Sequence, residues 1–154
     1  MKNKLFNAFI AISFLASCTS QENKTEKPGT SSNEAKKESS PINCYQYASG
    51  GDTISLKTIH VGEAITGTLV YRLKEKDSNK GTIQGSMRGD ILVADYTFMS
   101  EGVQSVRQVA FKLEDNSFVE GYGEVVTQND KVTFKDIGSL EFNGSMKLGE
   151  VACE

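Results

Sequence analysis

Polar and aromatic side chains suited to ligand recognition cluster between residues 95 and 124. Tyr96, Glu101, Arg107, Glu120 and Tyr122 all fall in this segment. If the segment forms a three-stranded meander, these side chains gather near one mouth of a barrel, where a small ligand finds a concave site. Arg107 would pair with an anionic group and the tyrosines would supply stacking surface. The alternative is a solvated sheet face with cross-strand ion pairs, each contributing under ~1 kcal/mol.

Glu120 and Glu124 are the two carboxylates that an enzyme could use together. On one continuous strand they would share a face about 7 Å apart, a separation compatible with acid–base chemistry on glycosides. Alternating carboxylates are also common on solvated strands. The sequence thus leaves open an enzyme that acts on carbohydrate or lipid, but we expect a non-catalytic protein and assign no catalytic residue.

Other catalytic and metal chemistry has little support. His60 is the only histidine, so a multi-histidine zinc or copper site is impossible, and there is no Gly-x-Ser-x-Gly elbow. Residues 77–81 begin like a calcium loop but lack its closing Glu and contain Lys80, which predicts an ordinary turn. We expect no metal and no cofactor. The net charge is −3 without a Lys/Arg cluster, so nucleic acid is not an expected partner.

The elements that position these residues are predicted to be β-strands. From Ile42 onward, short runs alternate apolar and polar residues with a period of two, which is typical of strands. One side of each run holds the larger apolar residues, as in the runs Ile54–His60, Leu69–Leu73, Leu92–Phe98 and Val109–Leu113. Val106 falls out of phase, which predicts a bulge near Arg107. Residues 118–125 are predicted to form one strand, and no segment has the pattern of a three-turn amphipathic helix.

Turn residues separate these runs at intervals of about 8 to 15 residues. Pairs such as Gly50-Gly51, Gly89-Asp90 and Asn129-Asp130 are typical of hairpin turns. The sequence therefore predicts an all-β domain over residues 42–154, an antiparallel up-and-down meander of about 8–10 strands. Closure, or near closure, into a lipocalin-like β-barrel would remove exposed strand edges.

The first eighteen residues have the layout of a secretory signal. Two lysines precede an apolar run, Leu5 to Leu15, which is shorter than the ~20 residues of a spanning helix. Leu15-Ala16-Ser17-Cys18 resembles the lipobox of bacterial lipoproteins. The resemblance implies cleavage of residues 1–17 as a signal peptide and attachment to the membrane through a lipid anchor at Cys18.

The segment after the lipobox predicts a tether. Residues 19–41 contain four Lys, four Glu and no large apolar residue, so they bury too little surface to offset the entropy of ordering. Residues 18–41 are therefore expected to be a lipidated N-terminus and disordered tether. Thr19 in place of an Asp after the lipidated cysteine favours the outer membrane, on its periplasmic face or at the cell surface.

The other two cysteines are predicted to form a disulfide. With Cys18 lipidated, Cys44 and Cys153 remain as a pair near the two ends of the domain, and exported proteins form disulfides readily. The alternative is two unpaired buried thiols. A metal pair is disfavoured because no histidine is at hand to complete a zinc site.

Several segments together resemble uncharacterised Bacteroidetes-type lipoproteins. They are the lipobox, the charged tether, Cys44-Tyr45-Gln46-Tyr47, residues 71–77, residues 95–102 and the late Cys153. The resemblance implies no activity, and it assigns only Cys18, as the lipid site. A looser resemblance is to small lipoprotein barrels that inhibit lysozyme, whose inhibitory loop signature is absent here. We expect an envelope protein that binds a small ligand or another protein.

Overall fold

The structure, a computed structural model, describes residues 40–154. The predicted signal peptide, the lipidation site Cys18 and most of the predicted tether lie outside these residues. The domain has ten strands and one 3-10 turn over Ile137–Ser139. The strands are β1 (Ile42–Ser49), β2 (Asp52–Val61), β3 (Ala64–Arg72), β4 (Asn79–Arg88), β5 (Ile91–Ser100), β6 (Val103–Glu114), β7 (Ser117–Glu120), β8 (Val125–Gln128), β9 (Lys131–Phe134) and β10 (Lys147–Val151).

Eight of these strands form a closed antiparallel barrel. Strands β1 to β7 follow one another as neighbours, and β10 lies between β7 and β1 and completes the ring. The expectation of an all-β meander closed into a lipocalin-like barrel is therefore confirmed. Strands β8 and β9 form a hairpin outside the ring, and β9 pairs in parallel with the first half of β6.

The predicted alternation of apolar residues is the alternation between barrel interior and exterior. Residues that face each other across antiparallel strands point to the same side, so the register places one set of side chains inside. That set forms a single core, made of Ile54, Leu56, Ile65, Leu69, Tyr71, Ile83, Leu92, Ala94, Tyr96, Val109, Phe111, Phe118 and Leu148. The interior is thus filled by side chains over most of its length.

The two ends of the barrel differ. At one end, which we call the mouth, lie the β3–β4 loop, the β5–β6 turn and the excursion from Gly121 to Met146 between β7 and β10. At the opposite end, the far end, lie the β2–β3, β4–β5 and β6–β7 turns, and there the chain enters β1. Any segment before β1 therefore joins the barrel at the end away from the mouth.

The disulfide between Cys44 and Cys153 is confirmed, with Cα atoms 5.3 Å apart. Cys44 lies opposite Lys57 of β2 and Val151 of β10, on the outer face, because its neighbour Tyr45 packs against the core. The bond links the first and last strands of the barrel. Within residues 40–154, the single 3-10 turn is the only helical element and falls far short of what a membrane crossing requires.

Two details of the predicted strands are wrong. The register between β5 and β6 runs unbroken from Ile91–Lys112 to Ser100–Val103, so there is no bulge near Arg107. The predicted strand over residues 118–125 ends at Glu120, and the chain then leaves the barrel and begins β8 at Val125. This early end of β7 frees the edge of β6 that β9 occupies.

Candidate functional site

Arg107 points into the barrel near its mouth. It lies opposite Tyr96 in the β5–β6 register, and Tyr96 is completely buried. The guanidinium carbon is 5.1 Å from the ring centroid of Tyr71, 5.6 Å from that of Tyr96 and 5.7 Å from that of Phe98. Each of these distances is within the range of a cation–π interaction. Three aromatic rings from two strands therefore hold one cation inside the barrel.

Two buried donors in this cluster have no acceptor. The Nε of Arg107 and the hydroxyl of Tyr96 are buried and lack a hydrogen-bond partner. The ion pairs found within residues 40–154 do not include Arg107. A buried polar group without a partner costs about 1–3 kcal/mol, so such groups call for an explanation. Of the two residues, only Arg107 lines a compartment.

Glu120 is the buried acid of the same cluster. It is the last residue of β7 and is 8 % exposed. The hydroxyl of Tyr71 donates to its Oε1 at 2.6 Å, and the hydroxyl of Tyr122 donates to its Oε2 at 3.1 Å. Burial raises the pKa of the Glu120 carboxyl, and the hydrogen bond from Tyr71 and the charge of Arg107 only partly offset that rise. Both carboxylate oxygens are thus engaged by tyrosines.

The phenols around Glu120 are held in their neutral form. Burial, with the negative charge of Glu120, raises the pKa of Tyr122 to about 12. Burial also raises the pKa of Tyr96 to about 12, against the opposing effect of Arg107. The pKa of Tyr71 lies well above its usual range, because of burial first and then of Glu120. These tyrosines therefore act as hydrogen-bond donors at neutral pH.

Two compartments that share lining residues open at this cluster. The larger has a volume of about 510 Å³ and is lined at the mouth by the β3–β4 loop, Ser100 and Met146. The smaller, of about 270 Å³, lies between β6 and the β8–β9 hairpin. Arg107, Glu120 and Tyr122 line both. The larger volume is within the ~300–1,000 Å³ typical of small-molecule sites.

The glycines after β7 allow the chain to leave the barrel beside the site. A side chain at Gly121 would meet the ring of Phe142, and one at Gly123 would meet Leu140 at 2.7 Å. Backbone hydrogen bonds between Tyr122 and Glu141 then fix the excursion. This packing places the Tyr122 hydroxyl within reach of Glu120.

An ion pair fixes the hairpin that covers the smaller compartment. Lys131 of β9 contacts the Asp95 carboxylate of β5 at 2.6 Å. The backbone N–H of Phe134 also donates to the side chain of Gln108 at 3.2 Å. The β8–β9 hairpin is therefore attached to the barrel wall along β6.

The structure brings together four of the five residues predicted for the ligand site. Arg107, Glu120 and Tyr122 line the compartments, and Tyr96 lies beneath Arg107. Glu101 instead lies exposed in the β5–β6 turn, in a left-handed conformation with φ of 50°, and does not line either compartment.

Two residues of the cluster, Tyr71 and Phe98, were predicted only as core positions. Their signal in the sequence was their phase, since both fall on the interior side of their strands together with Tyr96. A polar contact could not be read from that phase, because Tyr71 and Glu120 are 49 residues apart.

The remaining candidates lie elsewhere. Glu124 does not share a strand face with Glu120, because β7 ends at Glu120 and β8 begins only at Val125. Glu124 is exposed and forms an ion pair with Lys135 at 2.9 Å. His60 lies in β2 near the far end. Among residues 40–154 no group of three or more His, Cys, Asp and Glu side chains is arranged to hold a metal ion.

Comparison with known proteins adds no assignment: no protein-family model, no curated protein and no solved structure matches the chain.

Proposed function

We propose that this chain is a lipid-anchored protein of the bacterial outer membrane that binds a small anionic ligand at the mouth of its barrel. The observation that carries the ligand proposal is Arg107. Its guanidinium group lies against three aromatic rings inside the barrel, with a buried Nε that has no acceptor among residues 40–154.

The chemistry of the arginine selects the ligand's charge. A guanidinium group presents its N–H donors in a plane that matches a carboxylate or a phosphate. Arg107 lines both compartments. Its N–H donors and its positive charge favour an anionic acceptor over a neutral one.

The arrangement of the acids favours binding over catalysis. Glu120 accepts hydrogen bonds from two tyrosines, which fix its orientation. Glu124, the other carboxylate of the enzymatic alternative, is exposed and paired with Lys135. We therefore propose a protein that releases its ligand unchanged.

Replacement of Arg107 tests the ligand proposal. Isothermal titration calorimetry with benzoate, octanoate and inorganic phosphate should find at least one ligand. Arg107→Met, which removes the charge but keeps an unbranched apolar side chain, should weaken its binding about 10- to 100-fold, the loss expected for hydrogen bonds to a charged group. Arg107→Lys should recover only part of this loss, because a lysine ammonium group cannot donate two parallel hydrogen bonds to a carboxylate or phosphate as a guanidinium group does.

The control is Arg88→Met, which removes an arginine from the end of β4 at the far end. It should leave the affinity unchanged. Equal affinity in wild type and Arg107→Met would remove this site from consideration. Mass analysis after incubation with octyl glucoside and methyl octanoate, which contain a glycosidic and an ester bond, should recover both intact, and a cleaved product would favour the enzymatic alternative.

The anchoring proposal rests on the lipobox-like residues Leu15 to Cys18. The Cys44–Cys153 disulfide supports export, because disulfides persist in oxidising compartments. Intact mass spectrometry of protein extracted from membranes should show loss of residues 1–17 and added acyl mass on Cys18, and an unmodified Cys18 would contradict the proposal.

A further inference from the structure

The smaller compartment has an apolar wall directly beside Arg107. In the parallel pairing of β6 with β9, Arg107 lies opposite Val132, so both side chains point to the same side. Val125 lies opposite Phe134 in the β8–β9 hairpin, on that same side of the sheet. Val109 of β6 extends this apolar wall, and the rest of the lining is Gln108, Glu120, Tyr122 and the two glycines at 121 and 123. The compartment therefore has one apolar wall, with the guanidinium group of Arg107 and the carboxyl group of Glu120 beside it.

The larger compartment has a different lining. Lys76, Asp77, Asn79 and Ser100 contribute to it, so its rim is polar and faces the mouth. Arg107 lies between the polar and the apolar space and lines both. A ligand whose anionic group contacts Arg107 thus has water and polar groups on one side and the apolar wall on the other.

We infer that the ligand is a small amphiphile, with a carboxylate or phosphate head group at Arg107 and a short apolar body against Val125, Val132 and Phe134. This inference rests on the proposed function and names the class of molecule. The volume of about 270 Å³ limits the apolar body to a short chain or a single ring. The filled barrel core below Tyr96 prevents a longer chain from continuing along the barrel axis.

Chain length is the variable that tests the inference. Titration of the full-length protein with butanoate, hexanoate and octanoate should show affinity rising about 4-fold for each added methylene, the value expected for apolar burial. From butanoate to octanoate this amounts to roughly 200-fold. Octyl phosphate should bind as octanoate does if charge alone selects the head group. Uncharged 1-octanol should bind at least 10-fold more weakly than octanoate.

Matched variants locate the apolar body. Val132→Phe fills the compartment and should reduce the octanoate-to-butanoate ratio below 10. Thr133→Phe places the same ring on the opposite face of β9 and should keep the full ratio. Val125→Asp introduces a charge at a half-exposed position, where we expect the fold to tolerate it, and it should lower the ratio even if Val132→Phe does not fold.

The outcomes separate this inference from the proposed function. A ratio near 1 in the wild type, with binding still lost in Arg107→Met, would overturn the amphiphile and leave the anion site. A large ratio that persists in both Val132→Phe and Val125→Asp would also overturn it. Binding of none of these anions, or binding indifferent to Arg107, would overturn the proposed function and the inference with it.

Discussion

Arg107 and Glu120 carry opposite charges at the same end of the barrel, yet they do not form an ion pair with each other. Different contacts offset the cost of burying each of these two charged groups. Arg107 lies against aromatic rings, and Glu120 accepts from two phenols. A buried charge with incomplete pairing is costly, and this cost is the physical basis of the proposal that an anionic group binds to Arg107.

The buried carboxyl of Glu120 should make stability depend on pH. Because burial raises its folded-state pKa above that of the unfolded chain, the folded state holds this proton more tightly. Its contribution to stability is therefore fully present below the unfolded pKa and is lost as pH rises through the folded pKa. Glu120→Gln removes that titration. Urea denaturation between pH 4 and 8 should show the stability of the variant improving relative to wild type as pH increases.

The control for this prediction is Glu124→Gln. Glu124 is exposed, and the variant retains Glu120, so the decline in stability with rising pH should persist. Parallel pH profiles for wild type and Glu120→Gln would show that Glu120 titrates alike in the folded and unfolded chains. That result would contradict the buried, desolvated carboxyl that the structure describes.

At the scale of elements, local alternation predicted β2, β3, β5 and most of β6, but it did not reveal β4. The interior positions of β4 include Gly81 and Gly85, which break the apolar period. A side chain at Gly81 would meet the Thr97 carbonyl and would lie 2.8 Å from the ring of Tyr96. Glycine is required there because neighbouring strands approach closely in a coiled sheet. The same glycine that obscured the strand makes room for an aromatic ring of the site.

Strand β10 and the route of the chain after Glu120 were not predictable from alternation. Strand β10 has only Leu148 as a fully buried apolar residue, too little for a period to show. Along its length, strand β6 pairs first with β9 and then with β7. Val106 lies in the part of β6 that pairs with β9. The sequence suggested a bulge at Val106 because its apolar side chain is out of phase with Val109 and Phe111, and pairing with a distant strand leaves no local sequence signal.

The candidate site also has a part that the sequence predicted and a part that it did not. Arg107, Tyr96 and Glu120 were predictable because each is a chemically distinctive residue in the consecutive strands β5 to β7, and Tyr122 follows β7 after one residue. The contact between Tyr71 and Glu120 depends on closure of the ring, which brings β3 and β7 together across the interior. Glu101 is not part of this cluster, because it lies exposed in the β5–β6 turn and lines neither compartment. The sequence therefore predicts which residues lie in neighbouring strands, but it does not predict contacts across the barrel interior.

At the scale of the molecule, barrel closure and the disulfide depend on the same pair of strands. Strand β10 joins β1 through three residue pairs only, Cys44–Val151, Tyr45–Glu150 and Gln46–Gly149. Such a short seam ties the two ends of the domain together, and the disulfide lies beside it at the far end. The covalent bond therefore reinforces the pairing of β1 with β10, which is shorter than the pairing of β1 with β2. The proposed ligand site lies at the opposite end of the barrel.

Removal of the disulfide should lower stability without changing the site. The cysteines are 109 residues apart in sequence, a loop for which chain entropy gives ~4–5 kcal/mol, and measured losses are commonly 2–5 kcal/mol. In a Cys18→Ser background, which removes the third thiol, we expect Cys44→Ser with Cys153→Ser to lower the free energy of unfolding in urea by such an amount. Reductant should reproduce the loss with the native pair and have no effect on the double variant. Affinity for the ligand of Arg107 should stay within 2-fold of the parent under native conditions. Equal urea midpoints with and without the bond would contradict this prediction and would show that the pairing of β1 with β10 is stable without the disulfide.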